Sequence, residues 1–406
     1  MLQDPPTSSR AKAPQHSSYR MYKLLNTNER EKDLIVHGQG VFIFNCQQER
    51  CTFRFTGDNS DLVVEFTRDA VNVSSDEELI DPNNEKGLVT TPGAYYWFSV
   101  DSQNEMLCAG IGEPRMELET VIYTYAFPKG TAREYLESLT KVVFPDPYIM
   151  PMRLLRDPIT DSVPLKVKDM NDLTMDDIAA GNYMPKSNLS VVSQKMYHCI
   201  AGEKFVLDND DFPEFSQAIE RSILTPGCWC HEMLLKKATE FNPDKPNVAE
   251  TYLRITLSQN NGESPGVPYV MEIWPAGHYS PVHSHGGSEA VIRVLHGAIQ
   301  VQLFPFLSNE VSPFATGLFT EGDIMWISPT LNQIHQLKNV GGETCVTVQC
   351  YMYDEEDKAH YDYFDYIDAD GATQRFAPDS DMEFLEFKDL MREEWNARPQ
   401  CCWRRR

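Results

Sequence analysis

The segment GHYSPVHSHGGSEAVIRVLHG, residues 277–297, carries the two histidines on which the interpretation of the whole chain depends. His283 and His285 are two positions apart, and residues i and i+2 of a β-strand point to the same face. On a strand, both imidazoles would converge on one point and form half of a metal site. Taken alone, such a pair is usually two polar residues on a solvated strand face, so the surrounding sequence decides.

A second segment, EGDIMWISPTLNQIHQLKN at 321–339, supplies a third histidine, His335. The two segments together resemble the paired motifs of the cupin superfamily, whose fold is a small antiparallel β-barrel. In that family the first motif supplies His-x-His and an acid, and the second supplies a single histidine. The resemblance implies a metal bound by His283, His285 and His335. The barrel strands would extend from about 252 to 353.

The acid that follows the histidine pair leaves two arrangements open. In a strand without a bulge, Glu289 would share the face of His283 and His285 and become a fourth ligand. Gly286 and Gly287 favour a β-bulge, which would turn Glu289 away and leave a site of three histidines. The sequence alone does not decide between these arrangements.

The strand upstream of the pair, TYLRITLSQNNG at 251–262, makes the resemblance more specific. It is similar to the Tyr-x-Arg strand of the cysteine dioxygenase branch of the cupins, with Tyr252 and Arg254 in those positions. The strand after the third histidine, ETCVTVQCYMYD at 343–354, matches in layout the family's Ser-x-His-x-Tyr array. The corresponding residues here are Thr347, Gln349 and Tyr351.

Two departures from the family pattern bear on the substrate. Some family members cross-link a cysteine to the active-site tyrosine, but this chain has Ala290 at the cysteine position, so no such cross-link is expected. Gln349 replaces the histidine of the array, and an amide cannot take a proton at neutral pH. Tyr351 would therefore be held, and not deprotonated, by this neighbour. Tyr353, two residues further on, is a rival for its role.

The resemblance implies an enzyme, a non-heme iron thiol dioxygenase that uses Fe(II) and O2. It would oxidise a small thiol, with cysteine as the leading substrate, to its sulfinic acid. Three neutral imidazoles leave the metal its full positive charge, which attracts a thiolate. Arg254 would bind the substrate carboxylate through a bidentate, charge-assisted pair. Tyr351 would orient the reacting groups, and Tyr252 would stand beside Arg254.

Two other classes of function remain open. The first is a cupin metalloenzyme of another class, such as an isomerase or lyase, in which Glu289 is a fourth ligand. A measurement of the coordinating atoms would separate it from the three-histidine site. The second is a non-enzymatic cupin that serves as a binding or oligomerisation module. Cupins often pair through their barrel faces, so the resemblance also suggests a homodimer.

The remaining sequence predicts a mainly β protein with several parts. Residues 1–32 are polar and rich in Ser and Pro, which is typical of a disordered tail. Residues 33–128 alternate short β-branched and aromatic runs with turn formers, and they predict an N-terminal β-sandwich of unknown role. Residues 129–200, with helical periodicity at 131–142, predict a mixed connector. Residues 201–400 would form the cupin domain with flanking helices.

Composition and charge restrict the partners and the location. The 406 residues include 60 acidic and 36 basic side chains, and the formal net charge of -24 repels nucleic acid and anionic membranes. The chain has no run of about 18 apolar residues that would span a membrane. Its N-terminus lacks the apolar core of a secretory signal. We therefore expect a cytoplasmic protein with free cysteine thiols, whose partners are a small thiol and O2.

Overall fold

A computed structural model describes most of the chain. The described residues are 22–25, 30–45, 48–58, 61–75, 78–82, 95–112, 120–144, 152–159, 164–258, 268–304, 307–308, 313, 315–329, 334–353, 363–368, 370–377 and 379–397. The chain divides into two compact units. The first consists of Met1–Glu113 and Tyr123–Thr160, and the second of Pro114–Ile122 and Asp161–Arg406.

Up to residue 160 the chain forms mostly antiparallel strands. They are β1 (Tyr22–Leu25), β2 (Glu31–Asp33), β3 (Gln39–Asn45), β4 (Cys51–Gly57), β5 (Asp61–Phe66), β6 (Val71–Ser75), β7 (Glu78–Leu79), β8 (Tyr95–Asp101), β9 (Met106–Ile111), β10 (Thr120–Ala126), β11 (Leu139–Val143) and β12 (Met152–Leu155), with one short helix, α1 (Arg133–Glu137). The strands form two six-stranded sheets, in the orders β1-β12-β3-β8-β9-β10 and β2-β11-β4-β5-β6-β7.

Alternating apolar residues bring these two sheets together. In β4, Phe53 and Phe55 are buried while Arg54 between them is exposed, which is the pattern of a strand with one face in a core. The ring of Phe42, on β3 of the other sheet, lies 4.9 Å from that of Phe53 between centroids. The β-sandwich predicted for the N-terminal part is therefore confirmed.

The edges of this unit differ from the predicted boundaries. Residues 22–25 and 31–32 lie within the predicted tail, yet they form β1 and part of β2; residues 1–21 are outside the described residues. Likewise, β11 and β12 lie in the predicted connector but extend both sheets. A strand added to a sheet edge satisfies backbone N–H and C=O groups, and this gain outweighs a weak local sequence signal.

The cysteines of the described residues are of two kinds. Cys51 is disulfide-bonded, so the expectation of free thiols is wrong at this position. Among the others, Cys199, Cys228, Cys230, Cys345 and Cys350 carry free thiols. Free thiols were expected because a reducing compartment was inferred. Such an inference does not show which cysteines the fold brings close together.

From residue 164 onward the structure contains a second set of strands and most of the helices. The strands are β13 (Lys166–Lys168), β14 (Tyr183–Pro185), β15 (Leu253–Ser258), β16 (Tyr269–Trp274), β17 (Glu289–His296), β18 (Ala298–Leu303), β19 (Ala315–Thr320), β20 (Ile324–Ile327), β21 (His335–Lys338), β22 (Cys345–Met352), β23 (Phe364–Ile367), β24 (Thr373–Phe376) and β25 (Met382–Glu383). The helices are α2 (Met175–Ala180), α3 (Val191–Ile200), α4 (Phe215–Leu224), α5 (Trp229–Phe241) and α6 (Phe384–Asn396), with 3₁₀ turns at Lys186–Asn188 and Val248–Glu250.

The strands of the second unit form three sheets. The largest has the order β14-β13-β20-β17-β22-β16-β15-β25, a smaller one the order β19-β18-β21, and β23 pairs with β24. One buried apolar cluster contains Ile292 of the large sheet together with Val301 and Leu337 of the three-stranded sheet. The predicted fold class, mainly β with antiparallel sheets around a core, is therefore confirmed.

The helices bury the opposite face of the large sheet. Phe215 of α4, Leu234 of α5 and Met391 of α6 share one apolar cluster with Leu253 and Ile273 of the sheet. Strands β16 and β22 are consequently buried on both faces, and even the polar residues in them, such as Glu272 and Gln349, are buried. Among the described residues, no helix is both long and apolar enough to cross a membrane.

Candidate metal centre

The segment before β17 carries two of the three histidines. His283 and His335 exchange backbone hydrogen bonds, with N···O distances of 3.0 Å in both directions. His285 follows in the same segment, and then Gly286 and Gly287 adopt φ angles of 61° and 79°. These left-handed conformations suit glycine and turn the chain before β17 begins. The pair thus stands ahead of the strand and not within it, and both rings nevertheless point to one place.

The three imidazoles form a buried cluster. One ring nitrogen from each of His283, His285 and His335 lies within 4.8 Å of the other two. The Nε2 atoms of His285 and His335 are 3.0 Å apart. The three side chains are at most 5 % exposed. Within the described part of the chain, this is the one group of three His, Cys, Asp or Glu side chains with such spacing.

Burial keeps the rings of His283 and His285 neutral. Desolvation is the main cause, and it lowers the pKa of His283 to about 4 and that of His285 well below its usual value. The Nδ1 atom of His283 lies 3.0 Å from the carbonyl oxygen of Pro281, which can only accept, so Nδ1 must carry the proton. The Nε2 atom of His283 is therefore left with a lone pair.

This arrangement fits a metal ion. The Nδ1 atom of His285 is buried with no hydrogen-bond partner, so only the Nε2 side of this ring has a polar neighbour, which is His335. The 3.0 Å separation of the His285 and His335 Nε2 atoms also suits shared coordination. Two nitrogen ligands at right angles, each about 2.1 Å from an ion, would be about 3.0 Å apart. The donor set contains nitrogen alone and no negative charge.

Glu289, the candidate fourth ligand, faces elsewhere. Its carboxylate accepts hydrogen bonds from the hydroxyl groups of Ser190 and Ser193, the latter at 2.6 Å. Ser190 is the N-cap of α3, which packs against β17. The turn at Gly286 and Gly287 has the effect that a bulge was expected to have, and the carboxylate is bound at the helix end.

Arg254 lies opposite an acid that the sequence reasoning missed. It is paired in register with Glu272 on the neighbouring strand, and its Nη1 atom is 2.5 Å from Glu272 Oε1. Both side chains are buried. The Nε and Nη2 atoms of Arg254 have no hydrogen-bond partner. One edge of the guanidinium is therefore bound, and the edge that could bind a carboxylate in bidentate fashion is unpaired.

A hydrogen-bonded chain links this ion pair to the tyrosine beside the histidines. Gln349 Nε2 donates to Glu272 Oε2, and the hydroxyl group of Tyr351 donates to Gln349 Oε1. The ring of Tyr351 stacks on that of His285, with centroids 5.1 Å apart. Tyr351 is also the strand partner of Ala290, the position of the family's cross-linking cysteine.

The remaining predicted residues lie around the hydrogen-bonded series Glu272–Gln349–Tyr351. Tyr252 stacks on Trp274 with ring centroids 4.1 Å apart, and Trp274 Nε1 donates to Thr347 Oγ1 at 3.2 Å. Tyr353 is buried just beyond the end of β22. The missed residue, Glu272, did carry a signal. It is an acid inside the otherwise apolar run YVMEIW, and such a residue needs a buried partner.

A hairpin closes the histidine cluster on one side. Strand β23 is bonded to the segment of His283, because Ser284 N donates to Asp365 O at 2.8 Å and Ile367 N to Val282 O at 2.9 Å. The ring of Phe364 lies 4.7 Å from that of His285 between centroids.

Two cavities adjoin this region. One of about 330 Å³ has Tyr252, Tyr366 and Phe376 in its wall. The other, of about 310 Å³, is lined by Arg254 and Lys237 and shares Tyr252 and Phe376 with the first. Arg254 and Tyr252 therefore lie between the buried cluster and open space.

Comparisons with known proteins found solved structures that are similar to parts of this chain. No protein family and no curated protein matches its sequence. An oxalate oxidase structure is 19 % identical over 20 % of this chain and 40 % of its own, with a TM-score of 0.18. The lyase DddQ of Ruegeria pomeroyi, which acts on DMSP, is 17 % identical over 22 % of this chain and 39 % of its own, with a TM-score of 0.17.

A third solved structure is described as a cupin superfamily protein of Desulfitobacterium hafniense. It is 13 % identical over 26 % of this chain and 79 % of its own, with a TM-score of 0.20. The chain thus spans less than half the length of the oxidase and the lyase that it matches.

Proposed function

We propose that the second unit is a cupin-type non-heme iron thiol dioxygenase, which converts a small thiol to its sulfinic acid. In the overall reaction both atoms of O2 add to the sulfur of RSH to give RSO2H, so the balance requires no further reductant. The observation that carries the proposal is the donor set. Three buried imidazoles lie together, and Glu289, the acid nearest to them in sequence, accepts hydrogen bonds from Ser190 and Ser193 at the start of α3.

His283, His285 and His335 would hold the metal. When bound there, Fe(II) would supply the redox chemistry that activates dioxygen and lower the pKa of a thiol ligand. The uncharged donor set supports an anionic substrate, because the ligands do not neutralise the positive charge of the ion. Glu289 is not part of the histidine cluster, and its Oε2 atom accepts hydrogen bonds from Ser190 and Ser193, so this geometry does not support it as a fourth ligand.

Arg254 would bind the carboxylate of the substrate. Its unpaired Nε and Nη2 atoms form the edge that matches two carboxylate oxygens, and the bond from Nη1 to Glu272 fixes the plane of the guanidinium. Burying two N–H groups without partners is unfavourable, and an anion placed against them would remove that cost. This favours thiols that also carry a carboxylate, such as cysteine.

Tyr351 and Tyr252 would orient the substrate beside the histidines. Burial, with a smaller contribution from the charge of Glu272, raises the pKa of both phenols, so both stay protonated at neutral pH. Tyr351 would therefore act by hydrogen bonding. Phe364 and Trp274 would exclude water from the reacting sulfur, because both are buried apolar rings next to this group.

Metal analysis and oxygen uptake together test the proposal. Protein loaded anaerobically with Fe(II) is assayed for O2 consumption with cysteine, 3-mercaptopropionate and cysteamine, and the sulfinate is identified by mass spectrometry. We expect close to one iron per chain, uptake with the carboxylate thiols, and loss of both in His335→Ala. His278→Ala is the matched control, because His278 hydrogen-bonds the Thr251 carbonyl oxygen outside the cluster. No uptake with any thiol at full iron loading would contradict the proposal.

A further inference from the structure

Glu272 imposes a direction on the hydrogen bonds that end at Tyr351. An ionised carboxylate can only accept hydrogen bonds. Its Oε1 accepts from Arg254 and its Oε2 faces the side-chain amide of Gln349. The amide atom that faces Oε2 must therefore be the nitrogen. The acceptor-only chemistry of the carboxylate alone requires this orientation of the amide.

The orientation of the Gln349 amide then fixes the direction of the hydrogen bond made by the Tyr351 hydroxyl group. With Gln349 Nε2 on Glu272, the other amide atom that can face Tyr351 is the carbonyl oxygen, which is an acceptor. The hydroxyl hydrogen of Tyr351 must therefore point to Gln349. Its oxygen lone pairs are then left to accept, and they face Arg254 and the space beside His285, whose ring stacks on that of Tyr351. Arg254 is consistent with this polarity, because its positive charge attracts both the Tyr351 and Tyr252 phenol oxygens.

We infer that Glu272 is a positioning residue that, through Gln349, makes Tyr351 a hydrogen-bond acceptor toward the histidine site. A consequence for the substrate rests on the proposed function. An accepting phenol oxygen favours a ligand that donates a hydrogen bond at that point. Among thiols bound at Arg254 through a carboxylate, those with an amino group would be selected over those without one. Cysteine would thus be preferred to 3-mercaptopropionate.

The charges around Glu272 make this polarity sensitive to pH. Desolvation raises the pKa of Glu272 to about 7, although Arg254 on β15 and Lys237 on α5 act to lower it. Gln349 on β22 also lowers it, and Asp381, just before β25, acts to raise it. A protonated Glu272 can accept from Arg254 with one oxygen and donate with the other. The amide of Gln349 would then turn over, and Tyr351 would become free to donate into the site.

The variant Glu272→Gln should imitate the protonated state at every pH. The amide oxygen of the new glutamine is needed as the acceptor for Arg254 Nη1, so its nitrogen faces Gln349. The direction of the hydrogen bonds from residue 272 to Tyr351 is then reversed. Glu220→Gln is the matched control. Glu220 accepts hydrogen bonds from Thr344 in the same unit and takes no part in the hydrogen bonds between Glu272, Gln349 and Tyr351.

Raman spectroscopy reads the polarity directly, without any ligand. The intensity ratio of the tyrosine Fermi doublet, a general property of phenols, distinguishes a donating hydroxyl group from an accepting one. Subtracting the spectrum of Tyr351→Phe isolates the signal of Tyr351 from those of the other 17 of the chain's 18 tyrosines. At pH 8.5 (roughly 1.5 units above the pKa of Glu272) we expect a donor signature in the unaltered protein and in Glu220→Gln, and an accepting signature in Glu272→Gln.

A pH series adds a second prediction from the same samples. The Tyr351 signal of the unaltered protein should change as the pH falls through about 7, and that of Glu272→Gln should not change. The same doublet in both proteins at every pH would overturn the inference. If Glu272→Gln does not fold, a second variant is available. Gln349→Met removes the hydrogen bonds between Glu272 and Tyr351 while leaving the Arg254–Glu272 pair in place. It should remove the pH-dependent change, and a retained change would overturn the inference equally.

Binding measurements carry the inference to the substrate. Anaerobic calorimetry on iron-loaded protein gives the ratio of the Kd values for 3-mercaptopropionate and cysteine. We expect this ratio to fall about tenfold in Glu272→Gln, the effect of one hydrogen bond to a charged group, and to stay unchanged in Glu220→Gln. An unchanged ratio in Glu272→Gln would refute the selectivity. Failure of both thiols to bind would refute the proposed function, while the Raman result would still decide the role of Glu272.

Discussion

Arg254 is the residue whose surroundings say most about a ligand. Its side chain is 4 % exposed, one edge is bound by Glu272, and the other edge has two N–H groups without partners. A folded protein rarely leaves buried donors in this state. The unpaired edge therefore marks a place for an anion, and the identity of that anion can be tested by substitution at this residue.

Replacing Arg254 by lysine should separate carboxylate thiols from other thiols. The lysine keeps the charge beside Glu272 but loses the bidentate edge. We expect KM for cysteine to rise about 10- to 100-fold, the loss of one charge-assisted hydrogen bond, while KM for cysteamine changes little. Steady-state oxygen uptake measures both. Arg293→Lys is a control, since Arg293 bonds the Ile200 and Gly202 carbonyl oxygens outside the site. An equal rise for both thiols would exclude a carboxylate contact.

Glu289→Gln should leave metal binding intact. The carboxylate accepts hydrogen bonds from Ser190 and Ser193, so the substitution disturbs the start of α3 and not the histidines. We expect unchanged iron content by atomic absorption and a loss of about 1 kcal/mol in the free energy of unfolding, typical of a weakened cap. Loss of iron without loss of stability would restore Glu289 as a ligand.

At the residue scale, the sequence identified most of what the structure brings together. His283, His285 and His335 could be found because their spacing follows motifs along the chain. Glu272 was missed because its partner is 18 positions away, and the contact depends on the register between β15 and β16. Register is set by the hairpin and by which face is buried, and the individual strand sequences do not show it.

Among the elements, the hairpin of β23 and β24 has the closest connection to the site. Phe364 packs on the ring of His285, and Phe376 of the partner strand packs edge-on against Phe364 with centroids 5.5 Å apart. None of the three histidines is among the residues that line the two cavities described above. In this arrangement the hairpin stands between the ion site and solvent.

Phe364→Ala should expose the site. Removing a buried ring costs about 3–5 kcal/mol and leaves a hole next to His285. We expect iron to be removed faster by a chelator, measured as the rate of absorbance change of the iron–chelator complex. Phe215→Ala is the matched control, because it removes an equally buried ring from the cluster of α4 on the opposite face of the sheet. Equal rates in both variants would show that the effect comes from lost stability alone.

Element boundaries were predictable where local pattern and packing agree. The helical periodicity at 131–142 produced only α1, which ends at Glu137, because Leu139–Val143 pairs with β4 instead. A register of strand hydrogen bonds outweighs a helical pattern of this length, since short helices are marginal on their own. The tertiary partner that decides the outcome lies more than 80 residues earlier in the chain.

On the scale of the whole molecule, the sequence predicted two β-rich parts but not the boundary between them. The predicted connector, 129–200, divides between the units near residue 160. Its strands β13 and β14 join the large sheet, and α3 packs on β17. Each of these segments is short and weakly patterned, so its place is set by the edge or face that it completes.

The pH dependence of stability should carry the signature of the buried acid. The pKa of Glu272 is raised to about 7 in the folded protein, from an ordinary value of 4.5. As the pH rises between these values, the unfolded chain releases a proton that the folded protein retains, so this group's contribution to stability falls. Urea unfolding should show the advantage over Glu272→Gln largest below pH 4.5 and declining up to about pH 7. A difference that is constant with pH would contradict the raised pKa.

The bonds from β23 to the chain on either side of His283 have a further consequence. Ile367 and Asp365 hydrogen-bond the backbone at Val282 and Ser284, so the hairpin of β23 and β24 also fixes the position of His283. A movement of this hairpin that admits a small molecule would also displace His283 and weaken metal binding. By reciprocity, a bound metal ion would stabilise the hairpin in its packed position. Metal binding and the entry of small molecules are therefore thermodynamically linked.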